Sequence, residues 1–104
     1  MSNVKIVILN WNGRAHLERY LPSVVQYTMP KYDVVVADNG STDSSLEYVA
    51  EQFPQVEIVR LDRNYGFAEG YNRALAQINA EYYILLNSDV EVTQNWVAPL
   101  REFM

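Results

Sequence analysis

Apolar residues along this chain fall into two kinds of run. Val4 to Leu9, Asp33 to Ala37 (around Val34-Val35-Val36) and Tyr82 to Leu86 are short and nearly continuous, without alternation. Runs of that kind suit strands buried on both faces of a parallel sheet. Val56 to Leu61 differs, because Glu57 and Arg60 interrupt Val56, Ile58, Val59 and Leu61; it reads as a half-exposed edge strand. Between the runs the period changes. Leu17, Tyr20, Leu21, Val24 and Val25 follow the spacing of an amphipathic helix, in which Pro22 should bend or split the element. Leu46, Val49, Ala50 and Phe53 form a second helical stripe, ended by Pro54. Ser41 to Ser44 offer N-cap groups before it, and Ser44 with Glu47 has capping-box spacing. Ala68, Tyr71, Leu75 and Ile78 mark a third helix opened by Gly66, and Thr93 could cap a last one carrying Val97, Leu100 and Phe103 or Met104.

The order is therefore βαβαβαβα with short connections and right-handed crossovers. Strands one, two and four are the most buried and strand three is an edge, which fits sheet order 3-2-1-4, half of a doubly wound sheet. The switch point then lies between strands one and four. Each strand is followed by a polar cluster: Asn10-Trp11-Asn12-Gly13, Asp38-Asn39-Gly40-Ser41-Thr42-Asp43, Asp62-Arg63-Asn64-Tyr65-Gly66 and Asn87-Ser88-Asp89-Val90-Glu91. Parallel strands gather all four at one sheet edge, the place where open α/β sheets bind ligands.

Composition narrows the ligand. At 104 residues the chain is one domain, and 49% apolar with 20% charged residues is the balance of a globular protein. A net charge of −5 argues against nucleic acid or an anionic membrane surface as partner. Eight Tyr and two Trp could stack on sugars, though filling a core is their commoner use. Without cysteine there is neither a disulfide framework nor a thiolate metal site. The first apolar run is too short for a signal peptide, and no run approaches the ~20 residues of a membrane span. The expectation is a soluble, cytoplasmic protein.

Asp89, just past a central strand, could anchor Mg²⁺ or Mn²⁺ with substrate phosphate oxygens completing the shell, or simply cap a turn. Asp38 could accept hydrogen bonds from a ribose or a pyrimidine N–H, or close an Asx turn with Gly40 and Ser41. Asn64-Tyr65-Gly66 and Gly70-Tyr71-Asn72 place amides and glycines at a helix N-terminus that suits anions, though Gly66 also serves a turn and Gly70 close packing. Neither GxGxxG after strand one nor GxxxxGK[ST] occurs, which removes the dinucleotide and P-loop readings. A receiver-like phosphoacceptor lacks its acidic pair, since Asn10 and Asn12 stand there. The single histidine, His16, lies on a helix face and supports no Ser/His/Asp arrangement.

Four segments in register carry a resemblance: Val7-Ile8-Leu9-Asn10-Trp11-Asn12-Gly13, Val35-Val36-Ala37-Asp38-Asn39-Gly40-Ser41-Thr42-Asp43, Asn64-Tyr65-Gly66-Phe67-Ala68-Glu69-Gly70-Tyr71-Asn72 and Leu85-Leu86-Asn87-Ser88-Asp89-Val90-Glu91. Together they resemble the N-terminal half of an inverting family 2 glycosyltransferase with the GT-A fold. The wording is most similar to rhamnosyltransferase-like members that build bacterial surface polysaccharides. The resemblance implies a Rossmann-like half of a GT-A fold over residues 1–104 as one nucleotide-sugar-binding domain. It implies that Leu9, Asn10, Asn12, Asp38, Gly66, Asn72, Asn87 and Ser88 line the nucleotide site, and that Asp89 holds Mg²⁺ or Mn²⁺. Asn87 replaces the first acid of the family's DxD-type segment, and Glu91 is expected to face away.

The implied partners are a dTDP- or UDP-linked sugar and a saccharide or lipid-linked acceptor, at the cytosolic face of a membrane in the full-length protein. The general base belongs to the acceptor half beyond residue 104, so the chain is expected to be a partial enzyme, inactive alone. Strand 82–86 would then be an apolar edge able to pair with a second copy. The competing reading is a non-catalytic interaction domain that kept the fold. A nucleotidyltransferase would want a Gly-rich basic loop after strand one, where only Gly13-Arg14 stands.

Overall fold

The computed structural model describes residues 4–29 and 31–88, with Val92 and Trp96. Four strands, β1 (Val4–Asn10), β2 (Asp33–Asp38), β3 (Glu57–Arg60) and β4 (Tyr82–Asn87), alternate with three helices, α1 (Arg14–Thr28), α2 (Ser45–Gln52) and α3 (Phe67–Leu75). All strand pairs are parallel and the sheet order is β3-β2-β1-β4, as the burial argument requires. In register, Leu9 faces Ala37 on one side and Asn87 on the other, and Asn10 faces Asp38.

The two-residue period of a strand sorts the core into two layers. Ile6, Ile8, Val34 and Val36 point to one face, where Leu17, Leu21 and Val24 of α1 and Val49 of α2 pack on them, joined by Val92. Val7, Val35 and Ala37 point to the other, against Tyr71 and Ala74 of α3, Leu61 and Ile78. Val34, Val35 and Val36 are all fully buried, each contributing about 1.5–3 kcal/mol relative to exposure. The unbroken valine run is therefore legible as a strand covered twice.

Several local expectations change. Pro22 lies within a single continuous α1. Proline removes the donor to the carbonyl four residues back, here that of Glu18, and both residues are exposed, so solvent can serve that carbonyl. The α3 helix ends at Leu75 rather than Ile78. Ile78 is still buried, in a turn fastened by the Tyr83 hydroxyl donating to its carbonyl at 2.6 Å, while Ala68 is exposed. The β4 strand is only partly covered, with Leu85 48% exposed, because it is the second edge of the described sheet. Its pairing with another copy remains an expectation about two chains. The helix expected from Thr93 lies outside the described residues.

The Ser44–Glu47 capping box does not form, because neither α1 nor α2 is capped by its own N-cap side chain. Asp43 serves both. Its Oδ2 accepts from Arg14 N at 3.2 Å, and its Oδ1 from Ser45 N at 3.0 Å. The Ser44 hydroxyl instead accepts from Arg14 Nη1 at 2.6 Å. One carboxylate thus meets the positive ends of two helices. Desolvation would raise its pKa, but the Ser45 hydroxyl and the Ser45 and Arg14 N–H groups outweigh that and hold it below the usual 3.8. A lowered folded-state pKa adds stability above the unfolded value and loses it as pH falls through the folded one. Asp43→Ala should therefore cost about 1–2 kcal/mol near neutral pH, as lost caps do. In urea melts across pH, the gap to wild type should close below about pH 3.8.

Gly40 takes a φ of +78°, and a Cβ there would stand 2.6 Å from the Arg63 backbone. Gly66 takes +81° with nothing within 4 Å. Left-handed strain alone costs about 1–3 kcal/mol, and a backbone clash adds roughly as much. Urea unfolding should accordingly rank Gly40→Ala as clearly more damaging than Gly66→Ala; equal losses would mean that the two loops are not packed together.

Candidate functional site

The carboxyl ends of β1 and β2 continue the strand alternation into polar residues. Asn10 and Asp38, on the α1/α2 face, are cross-strand partners, 0% and 3% exposed. Asn10 Nδ2 donates to Asp38 Oδ1 at 3.0 Å and to Ser41 Oγ at 3.2 Å. The Ser41 hydroxyl donates to Asp38 Oδ1 at 2.6 Å, and its N–H donates to Asp38 Oδ2 at 2.9 Å. The Asx-turn reading of Asp38 is thus present, and the same carboxylate is held by the neighbouring strand.

Asn12 joins the first two loops. With φ at +49°, a value asparagine tolerates better than most residues, its N–H reaches Ser41 Oγ at 2.8 Å. Its Oδ1 accepts from the N–H groups of Thr42 at 2.7 Å and Asp43 at 3.1 Å.

Leu9 and Asn39 point to the α3 face. The Tyr71 hydroxyl accepts from Leu9 N at 3.4 Å and donates to the Leu86 carbonyl at 3.2 Å, between the ends of β1 and β4. Burial raises the phenol's pKa against the opposing Leu9 N–H bond. Asn39, 2% exposed, donates from Nδ2 to Asn64 Oδ1 at 3.1 Å and to the Gly66 carbonyl at 3.0 Å. Its Oδ1 accepts from Tyr65 N at 3.0 Å. Gly70 leaves room for this, since a Cβ there would lie 2.8 Å from Asn39 Nδ2.

The structure thus brings Leu9, Asn10, Asn12, Asp38 and Gly66 to one edge, with Gly66 opening α3. Asn87 ends β4 in register with Leu9, and Ser88 Oγ lies 3.9 Å from where a Gly13 Cβ would stand. Asn72 is exposed on α3, with no hydrogen bond joining its side chain to this cluster among the described residues. Asp89 and Glu91 lie outside the described residues. Three residues stand out beyond those: Asn39, in the polar cluster after β2; Tyr71, in the apolar stripe of α3; and Trp11, 55% exposed on the β1–α1 loop. Continuing the strand alternation one residue past Asp38 would have found Asn39.

No group of three or more His, Cys, Asp or Glu side chains converges among the described residues. Asp38, the buried carboxylate, is already engaged by Asn10 and Ser41. These residues do not by themselves form a divalent-cation site. Local charge differs from the chain's net −5. At the corner after β3, the Arg63 and Arg73 guanidinium groups lie 5.0 and 4.0 Å from the centre of the Tyr65 ring, with Glu69 paired to Arg73 at 2.7 Å.

Asn39→Ala removes three hydrogen bonds at once, to the Gly66 carbonyl, to Asn64 Oδ1 and from Tyr65 N–H, while Asn64 Oδ1 keeps its bond from Gly66 N. At about 1 kcal/mol net per hydrogen bond, more where a group is left buried, the variant should lose roughly 2–4 kcal/mol in denaturant unfolding.

Comparison with known proteins places this edge in context. The sequence model described as "Glycosyl transferase family 2" matches residues 5–104. Among curated relatives, N-acetylglucosaminyl-diphospho-decaprenol L-rhamnosyltransferase of Mycobacterium tuberculosis is 29% identical over 97 residues, covering 83% of this chain and 32% of that protein. Glycosyltransferase AglE of Haloferax volcanii is 30% identical, covering 90% of this chain and 33% of that protein. S. aureus TarS 1-349 in complex with UDP superposes with a TM-score of 0.82 over 99% of this chain and 32% of that one, at 24% identity. The mannosyltransferase PcManGT from Pyrobaculum calidifontis, in complex with GDP-Man and Mn²⁺, gives 0.71 over 86% of this chain and 28% of that one. The chain spans about a third of the length of the relatives it matches. With its four-stranded 3-2-1-4 sheet, it belongs to glycosyl transferase family 2.

Proposed function

We propose that this chain forms the donor half of an inverting glycosyltransferase, binding a nucleoside diphosphate sugar along the carboxyl edge of the sheet. The observation that carries the proposal is the Asn10–Asp38–Ser41 network, a buried and internally braced carboxylate at the switch-point edge of a family 2 fold. Asp38 takes the base or ribose, Leu9 and Asn12 flank it, and exposed Trp11 offers a ring face for stacking. Gly66 begins α3, whose first-turn N–H groups face the diphosphate. Support for the ligand class comes from solved relatives in complex with UDP, UDP-GlcNAc and GDP-Man.

The divalent ion belongs to the same proposal. We assign Mg²⁺ or Mn²⁺ to Asp89, with Asn87 and Ser88 beside it, and support comes from the Mn²⁺ complex of the mannosyltransferase. When bound, the ion would neutralise charge on the departing diphosphate. The reaction is attack of a deprotonated acceptor hydroxyl on the anomeric carbon, with the nucleoside diphosphate leaving from the opposite face. No residue of this chain is assigned as the base for that hydroxyl. The acceptor is a saccharide or lipid-linked glycan, met at the cytosolic face of a membrane.

Calorimetric titration with dTDP, UDP and GDP, with and without Mn²⁺, tests the assignment. One nucleotide should bind in the presence of Mn²⁺. Omitting Mn²⁺ or introducing Asp89→Ala should weaken it about tenfold or more, at least the cost of disturbing a metal's outer shell. Failure of all three to bind would turn the reading toward a non-catalytic interaction domain.

A further inference from the structure

Among the described residues, one buried side-chain polar atom has no hydrogen-bond partner: Oδ1 of Asn10. An unpaired buried carbonyl is costly, so its orientation calls for a cause. Turning the amide over would aim that oxygen at Asp38 Oδ1, which Nδ2 now meets at 3.0 Å, replacing a hydrogen bond with a contact between two acceptors. Ser41 cannot rescue the flipped form, because its hydroxyl hydrogen is committed to Asp38 and its oxygen already accepts from Asn12 N. The carboxylate therefore dictates the amide, and the orphan oxygen is left against Gly13, where a Cβ would stand 2.5 Å away.

We infer that Asn10 is a positioning residue that determines base selectivity through Asp38, without touching the nucleotide. This rests on the nucleotide-binding reading above. Asn10 is fully buried and contacts Asp38 and Ser41. A carboxylate offers about four acceptor sites. Asn10 Nδ2 and the Ser41 hydroxyl take Oδ1, and Ser41 N takes one site on Oδ2. Among the described residues, one acceptor direction on Oδ2 remains. It suits a base whose ring nitrogen carries hydrogen, as in uracil, thymine or guanine. It rejects cytosine, whose N3 is itself an acceptor. Without Asn10, Asp38 and Ser41 can rotate as a pair and that direction is no longer single.

The test compares UDP with CDP binding to the full chain, in Mn²⁺, for wild type, Asn10→Leu, Asn10→Ala and Ser41→Ala, alongside urea unfolding of each. Leucine is close to asparagine in shape and removes the orphan carbonyl together with the two donated bonds. Loss of the bond to the buried Asp38 should lower the Asn10→Leu urea midpoint, a cost partly offset by removal of the orphan carbonyl. The variant's preference for UDP over CDP should fall about tenfold, the worth of one oriented hydrogen bond to a charged group. Should Asn10→Leu fail to fold, Asn10→Ala decides the matter, since it removes the same amide and should lose the same preference, whereas Ser41→Ala leaves Asp38 held by Asn10 Nδ2 and the residue-41 N–H and should keep most of it.

An unchanged preference would overturn the inference. So would an equal loss of affinity for both nucleotides, the mark of a merely structural residue. Failure of wild type to bind either nucleotide would overturn the underlying reading as well, and is distinguished by appearing before any substitution is made.

Discussion

The hydrogen bond from Asn10 to Asp38 joins the ends of adjacent parallel strands at a point where both residues are buried. Buried polar groups are tolerated only when paired, so each residue needs the other, and both need the loop that brings Ser41 back over them. That requirement sets the geometry around it. The β2–α2 loop must turn sharply at Gly40 and pass close to the Arg63 backbone, where a side chain would not fit. Asn12 must adopt a left-handed conformation to hold Thr42 and Asp43. Asp43 is then placed between the starts of α1 and α2 and caps both. The carboxyl edge of β1 and β2 and two helix starts are thus assembled by one set of loop contacts.

The same edge is tied to the other face by a second set. Strand parity sends Leu9 and Asn39 toward α3, where Tyr71 spans the ends of β1 and β4 and Asn39 gathers the β3–α3 loop. Asp38 and Asn39 are consecutive in sequence but anchor opposite layers. One peptide unit therefore joins the contacts of the two layers.

The strand order and helix placement were legible in the sequence because burial on both faces leaves a simple mark, an apolar run without alternation. Edge character is legible at β3, where Glu57 and Arg60 interrupt the run; at β4 the apolar run suggests full burial, and only the sheet order and the resemblance mark strand 82–86 as an edge, which is partly exposed. Local capping was misread for a physical reason. Spacing arguments assume that a helix is capped from its own sequence, whereas Asp43 reaches Arg14 from a different loop. Pro22 does not split α1, because the cost of a missing donor depends on exposure, which the helix settles only once it has docked. In the site, the residue types were legible but the division of labour was not. Asn10, Asp38 and Asn39 are all polar residues at strand ends, and only the fold separates the bracing amide from the carboxylate and the loop anchor.

The division of labour bears on how a chain of net charge −5 could accept an anionic ligand. Asp38 is nearly surrounded by donors within the protein, so its negative charge is spread into the Asn10 and Ser41 dipoles rather than projected across the edge. Asp43 is likewise taken up by two helix starts. The corner after β3 carries Arg63 and Arg73 beside the first turn of α3, with backbone N–H groups of that turn close by. Among the described residues of this edge, Asp38 and Asp43 are taken up by donors of the protein, and Arg63 and Arg73 stand with Asp62 and Glu69 at the corner after β3. On the proposed reading, Asp38 offers an acceptor for a base and the first turn of α3 offers N–H donors for a diphosphate, a polarity that net charge alone does not reveal.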